Sequence, residues 1–313
     1  GHGRHPDRRH VSTHLQDGSS DLKNQMMLIE GLRDSPGFLM FAVLLFGLCV
    51  GSFLNVVILR LPLMMERGWK REARAMLELP AEELPPLSLW QPASRCPHCN
   101  AGIKPWHNIP LISWLMLRGR CANCSASISI QYPLVEFAAG LMSAVCVWRF
   151  GWSPQLAAAL LFSWTLLGLT VIDLRTQLLP DDLTLPLLWC GLLLALWVVF
   201  VPLDAAVIGA VAGYLMLWLV FQIFRLVTGK EGMGYGDFKL LAALGAWLGW
   251  QALPTVVLLS SVVGAVVGIS LVIFRKHDRQ VPIPFGPYLA AAGWMTLIFG
   301  ETLTQTYLRS VAS

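Results

Sequence analysis

Charge is scarce in this sequence. Of its 313 residues only 13% are Asp, Glu, Lys or Arg, while 55% are hydrophobic and the mean hydropathy is +0.59. Soluble domains carry about 25% charge and about 45–50% apolar residues. An ordinary water-soluble core is therefore excluded, and no nucleic-acid partner is expected. The chain has instead long uncharged runs, each near the ~20 residues that cross a bilayer. Eight such segments run over 37–59, 134–150, 156–174, 183–201, 205–226, 238–253, 256–274 and 285–308. The fold class expected is all-α, a polytopic integral membrane protein. The sixth segment is short and contains glycine, which suits a re-entrant or shallow helix as well as a full span. No A-x-A-like cleavage site follows the first segment, so it reads as a retained helix.

Lys and Arg collect on the cytoplasmic side of membrane proteins. Between the first two segments lie nine, among them Arg60, Arg67, Lys70, Arg95, Lys104, Arg118 and Arg120. The third, fifth and seventh connections carry Arg175, then Arg225 and Lys230, then Arg275, Lys276 and Arg279. Even connections offer only Arg149. Odd connections are thus expected in the cytosol, with the N-terminus outside. The basic residues of the tail, such as Arg8 and Arg9, run against this, and the first loop outweighs them. Residues 1–36 read as a polar tail, disordered or with a start that is not the natural one; Met26 or Met27 would suit. Its histidines (His2, His5, His10 and His14) read as solvated. The remaining divisions are a first transmembrane helix (37–59), a cytosolic loop (60–131) and a transmembrane core (132–313).

Three of seven cysteines, Cys49, Cys146 and Cys190, lie singly in apolar segments and read as small buried hydrophobes. The other four form two C-x-x-C knuckles, Cys96/Cys99 and Cys121/Cys124. Two such pairs about twenty residues apart supply four thiolates for a tetrahedral Zn²⁺. Two disulfides are the alternative, disfavoured in a reducing cytosol. Four thiolates leave no open position for water, so a structural site is expected. His98 points away from it. The segment 64–87 suits an amphipathic or interfacial stretch. Trp106 and Trp114, with Asn108 and Pro110 between them, suggest a segment at the membrane interface.

Acids near the spans are few and costly, so each needs a role. Asp173 falls at the cytoplasmic end of the third segment, and Asp237, in Gly232-Met-Gly234-Tyr-Gly236-Asp237, begins the sixth. Both would sit at one membrane depth. Side by side, two carboxyls can share a proton, one activating water and the other protonating a scissile carbonyl. Gly234 and Gly236 would let a substrate strand approach. An ion- or proton-relay pair in a transporter is the competing reading. Structural roles compete too. Asp173 could pair with Arg175, and Asp237 could cap a helix. Asp181 and Asp182 fit caps, and Glu136 could bond a neighbouring helix.

These residues resemble the type IV prepilin peptidases of pilus and type II secretion systems. The likeness rests on Gly51-Ser-Phe-Leu-Asn55 with Arg60-Leu-Pro62, both C-x-x-C pairs, and Asn108-Ile-Pro110 through Trp114. It continues through Tyr132-Pro-Leu-Val-Glu136, Asp173 with Leu179-Pro-Asp181, Gly234-Tyr-Gly-Asp237 and Pro284-Phe-Gly-Pro287. The resemblance implies a multi-pass inner-membrane aspartic endopeptidase of the GxGD type, with Asp173 and Asp237 catalytic and its site facing the cytosol. It implies cleavage of prepilins or pseudopilins after a glycine that ends a short basic leader. It further implies N-methylation of the new first residue, typically Phe, with S-adenosylmethionine, and zinc on the four cysteines. Cleavage alone is the alternative, because no G-x-G-x-x-G follows a strand to mark a Rossmann-type donor site. Donor-binding residues are not identified. Asp181 and Asp182 are candidates to meet a basic leader, and the basic first loop to meet anionic lipid.

Overall fold

The computed structural model describes residues 35–80, 85–230, 232–275 and 284–312. The expectations for the tail up to residue 34 lie outside the described residues. Among these residues the regular structure is helical, with two isolated bridges and no strand. In chain order the helices are α1 (Pro36–Met76), α2 (Ile112–Met116), α3 (Gln131–Phe150), α4 (Pro154–Thr176) and α5 (Asp181–Ala195). Then come α6 (Leu203–Thr228), α7 (Tyr235–Leu248), α8 (Leu253–Arg275) and α9 (Gly286–Ala312). Each of the eight apolar segments is one of the longer helices. Helices α1, α3, α4 and α6, and the stretch Trp250–Ser270 leading into α8, are long and apolar enough to cross a membrane.

The first helix does not stop at residue 59. It continues through Pro62 to Met76, 41 residues in all. The extension is rich in helix formers and carries a Glu66–Lys70 ion pair one turn apart at 2.6 Å. At 1.5 Å per residue α1 is about 62 Å long, so its second half extends beyond a ~30 Å hydrocarbon core.

Helix α7 is the centre of the bundle. Phe238, Leu240, Leu241, Ala243, Leu244 and Ala246 are fully buried against α5, α6 and α9. A helix apolar on all sides belongs in an interior. Two pairs of helices approach most closely, and both use glycines four residues apart. On α6, Gly209 meets the backbone of Gly245, and a Cβ on Gly213 would lie 2.6 Å from the Leu241 carbonyl. On α1, Gly47 meets Ser143, and a Cβ on Gly51 would lie 2.6 Å from Cα of Glu136. Lipid tails are as apolar as leucine, so close backbone packing drives such pairs. Interhelical hydrogen bonds add to it, as from Trp247 to the Leu187 carbonyl at 2.7 Å and from Trp294 to Ser163 at 2.8 Å.

Successive connections lie at opposite ends of the bundle. At one end Phe150 and Phe200 meet edge to face with centroids 5.8 Å apart, and Gly249 packs on Val201 and Ala205. At the other, Leu179 touches Gly236 and Gly286. Asp173 and Asp237 sit at this second end.

Candidate active site

Asp173 is in the last turn of α4, which Gln177 closes in the left-handed conformation by donating its N–H to the Asp173 carbonyl at 2.9 Å. The side chain does not pair with Arg175, which donates instead to Gln131 Oε1 at 2.8 Å. The Gly286 backbone N–H, at the start of α9, donates to the Asp173 carboxyl. Asp237 is not a cap either. Gly234 is the N-cap of α7, in extended conformation, and Asp237 is the third helical residue. From there its carboxyl bonds back to the Gly234 backbone, the reciprocal half of a capping box.

Three ends therefore converge: the C-terminus of α4 and the N-termini of α7 and α9. They bring the carboxyls within Coulombic reach of each other. Both residues are buried, and Asp173 Oδ2 and Asp237 Oδ1 have no hydrogen-bond partner among the described residues. Buried polar atoms are almost always bonded, and exceptions mark strain or chemistry. Two such oxygens on neighbouring carboxyls suit a pair that acts on a bound water and a carbonyl.

Gly236 is a close-packed position. A Cβ there would lie 2.7 Å from Leu179 Cβ, and one on Gly286 would lie 2.5 Å from Asp173 Oδ2. Gly234 has its N-cap role and lies open, apart from Asp237 Oδ2 at 3.9 Å from its ideal Cβ. Sequence reasoning gave no role to Leu179 or Gly286, although both stand in the stretches that carried the resemblance. Asp181 and Asp182 occupy the first turn of α5, whose N-cap is Pro180. The caps expected of them are absent. Asp181 takes both of its oxygens to Lys239 Nζ at 2.7 Å. Glu136 bonds the N–H of Leu111 at 2.8 Å, which docks the tryptophan-bearing segment onto α3.

The four expected cysteines form one cluster, with all thiol sulfurs within 4.8 Å of one another and none in a disulfide. The knuckles are built alike. Cys96 N–H donates to Ala101 and Cys121 N–H to Ala126. Asn100 and Ser125, each four residues after the first cysteine, turn with φ 57. Four ligands 2.3 Å from a zinc ion stand about 3.8 Å apart, and Cys96 and Cys124 are separated by 3.8 Å. The Ala101 N–H and the Asn123 side chain hold the Cys99 thiol down at about 6. Backbone N–H groups of Cys124 and Asn123 lower Cys121 as well. Four closely set sulfurs fit a divalent cation. The cluster could hold a metal ion.

Comparison with known proteins matches two family models. The bacterial peptidase A24 N-terminal domain matches residues 45–150, and the type IV leader peptidase family matches residues 160–269. A protein of Stutzerimonas stutzeri named prepilin leader peptidase/N-methyltransferase is 56% identical over 91% of this chain and 99% of its own length. Proteins of the same name from Aeromonas hydrophila and Pseudomonas aeruginosa are 56% and 53% identical over 90% and 91% of the chain, and each match covers 98% of the relative. No solved structure matches significantly. With this coverage, and with the two peptidase models on either side of the α3–α4 turn, the chain belongs to the type IV leader peptidase family.

Proposed function

We propose that this chain is a prepilin leader peptidase and N-methyltransferase of the bacterial inner membrane. On this reading Asp173 and Asp237 cleave the leader of prepilins or pseudopilins. The observation that carries it is the pair of unpartnered, buried carboxyl oxygens at one end of the bundle. One carboxylate takes a proton from water, whose oxygen attacks the scissile carbonyl. The other, protonated, donates to the carbonyl oxygen. Collapse of the tetrahedral intermediate breaks the C–N bond as a proton passes to the departing amine. Such acid–base help contributes about 10²–10⁴-fold each.

The freed amine is then the nucleophile for methylation. S-adenosylmethionine supplies an electrophilic methyl group when bound, and no residue is assigned to hold it. The four cysteines hold zinc, with Cys96, Cys99, Cys121 and Cys124 as ligands. A complete thiolate shell staples a loop and does not activate water. Basic residues at the odd connections support a cytosolic position for the metal loop and the carboxyl pair.

The test is a purified preparation, a prepilin peptide and S-adenosylmethionine, read by mass spectrometry. Wild type yields a cleaved and N-methylated product. Asp173→Asn and Asp237→Asn each insert normally and lose cleavage by at least about 10²-fold. Substantial residual cleavage by either variant would sink the dyad.

A further inference from the structure

The connection between α4 and α5 spans only residues 177–180. Its third residue, Leu179, packs against the glycine that precedes Asp237 and against Gly286, which crowds Asp173 Oδ2. A Cβ on Gly236 would meet Leu179 Cβ at 2.7 Å and Cδ1 at 3.3 Å. A Cβ on Gly286 would meet Leu179 Cδ1 and Cδ2 at 3.1 and 3.2 Å, and Asp173 Oδ2 at 2.5 Å. The leucine therefore fills the gap between two glycines on different helices, and its methyl groups and Asp173 Oδ2 crowd the same side of Gly286. A substrate backbone lying over the carboxyls has this leucine as its neighbour.

The leucine is also held in place. Before it, Gln177 is tied to the Asp173 carbonyl at 2.9 Å. Behind it, Thr184 Oγ1 donates to the Pro180 carbonyl at 3.1 Å, and Asp181 is bound through both oxygens to Lys239, two residues beyond Asp237. A four-residue loop fixed at both ends has little freedom to withdraw. A wall so fixed discriminates by size, because each carbon beyond the fit must displace packed atoms.

We propose that Leu179 is a specificity-determining residue, a wall that limits the size of the substrate side chain beside the scissile bond. The proposal rests on the reading of Asp173 and Asp237 as the cleaving pair. Leu179 takes no part in proton transfer; it selects what may lie across the pair. Removing its methyl groups makes room for a larger substrate residue, and enlarging it closes the room that exists.

The test uses the full-length protein in lipid vesicles and prepilin peptides carrying Gly, Ala or Val at each of the two residues flanking the scissile bond. The readout is the ratio of kcat/KM for Gly to that for Ala and Val. In wild type the ratio is large at one of the two positions, of the order of 10–200-fold per carbon. Leu179→Ala reduces that ratio at least about tenfold at the same position and leaves the other unchanged. Leu179→Val does so in part and serves where the alanine variant inserts poorly. A purely structural leucine would lower the rate on all peptides together. Unchanged ratios in both variants therefore overturn the wall. Asp237→Asn is measured alongside: if it still cleaves, the dyad has failed. If it is inactive and the ratios do not move, only the wall has failed.

Discussion

Asp237 serves two purposes with one carboxyl. It bonds back to the N-cap glycine of α7 and it keeps a buried oxygen without a partner, within Coulombic reach of Asp173. Asparagine can keep the first purpose and not the second. Asp237→Asn should therefore leave thermal stability within about 1 kcal/mol, the usual worth of a capping bond, while cleavage is lost. Parallel melting and cleavage assays check this. The neighbouring ion pair is a different case. Lys239 and Asp181 are 31% and 51% exposed, and pairs so exposed contribute at most about 1 kcal/mol. Asp181→Asn should retain cleavage, and complete loss would reassign the residue to substrate binding. At this scale the sequence revealed the two aspartates, because an acid beside hydrocarbon is conspicuous. The cap weighed for Asp237 falls instead on Gly234, three residues earlier, since Asp is favoured at several positions near a helix start. Leu179 stood in a stretch that carried the resemblance but had no role of its own, because a leucine among leucines shows no chemistry until the fold places it against two glycines.

The paired knuckles were legible as an element, because two C-x-x-C pairs leave few alternatives once a reducing compartment is inferred. What spacing could not give was the matching backbone, with the same turn after each first cysteine. On the proposed zinc site, a loop so small depends on the metal for folding. Chelation, or Cys96→Ser, should therefore remove the metal and open residues 95–128 to protease while the transmembrane helices stay protected. Metal analysis that still finds one ion per chain in Cys96→Ser would refute the four-thiolate site. The long first helix was read only to residue 59, where its uncharged run ends, three residues short of Pro62. The flanking helix formers and the Glu66–Lys70 pair carry the helix past it. The α6–α7 contact offers a second check. Gly245 lies against the backbone of Gly209 with no room for a methyl group. Gly245→Ala should cost about 1–3 kcal/mol, seen as a lower melting temperature. Gly37, which has nothing within 4 Å of its ideal Cβ, should tolerate the same change.

At the scale of the molecule, each of the eight apolar runs is a helix among the described residues, so the order of the spans was largely readable from hydropathy. The pairing of helices was not, because it depends on where glycines face one another. The first, third and fifth connections lie at one end and the even ones at the other among the described residues, as alternation requires. Impermeant thiol labelling of single cysteines placed in residues 151–153 should succeed from the outside of intact cells. Cysteines placed at 229 or 178 should react only after permeabilisation. The opposite pattern would invert the orientation and put the carboxyl pair on the wrong face.

Helices α5 and α7 are 15 and 14 residues long. At 1.5 Å per residue they span about 21–23 Å, well under the ~30 Å of a hydrocarbon core, while α6 beside them has 26 residues. Both short helices start at the end that carries the aspartates. A bilayer that thins or hydrates along these two helices would, on the proposed function, let the carboxyl pair meet the peptide bond at a step below the level of the surrounding lipid. Mismatch of this kind costs a fraction of a kcal/mol per Å. Lipids with longer acyl chains should therefore deepen the step and slow entry of substrate, so that the rate of processing follows membrane thickness.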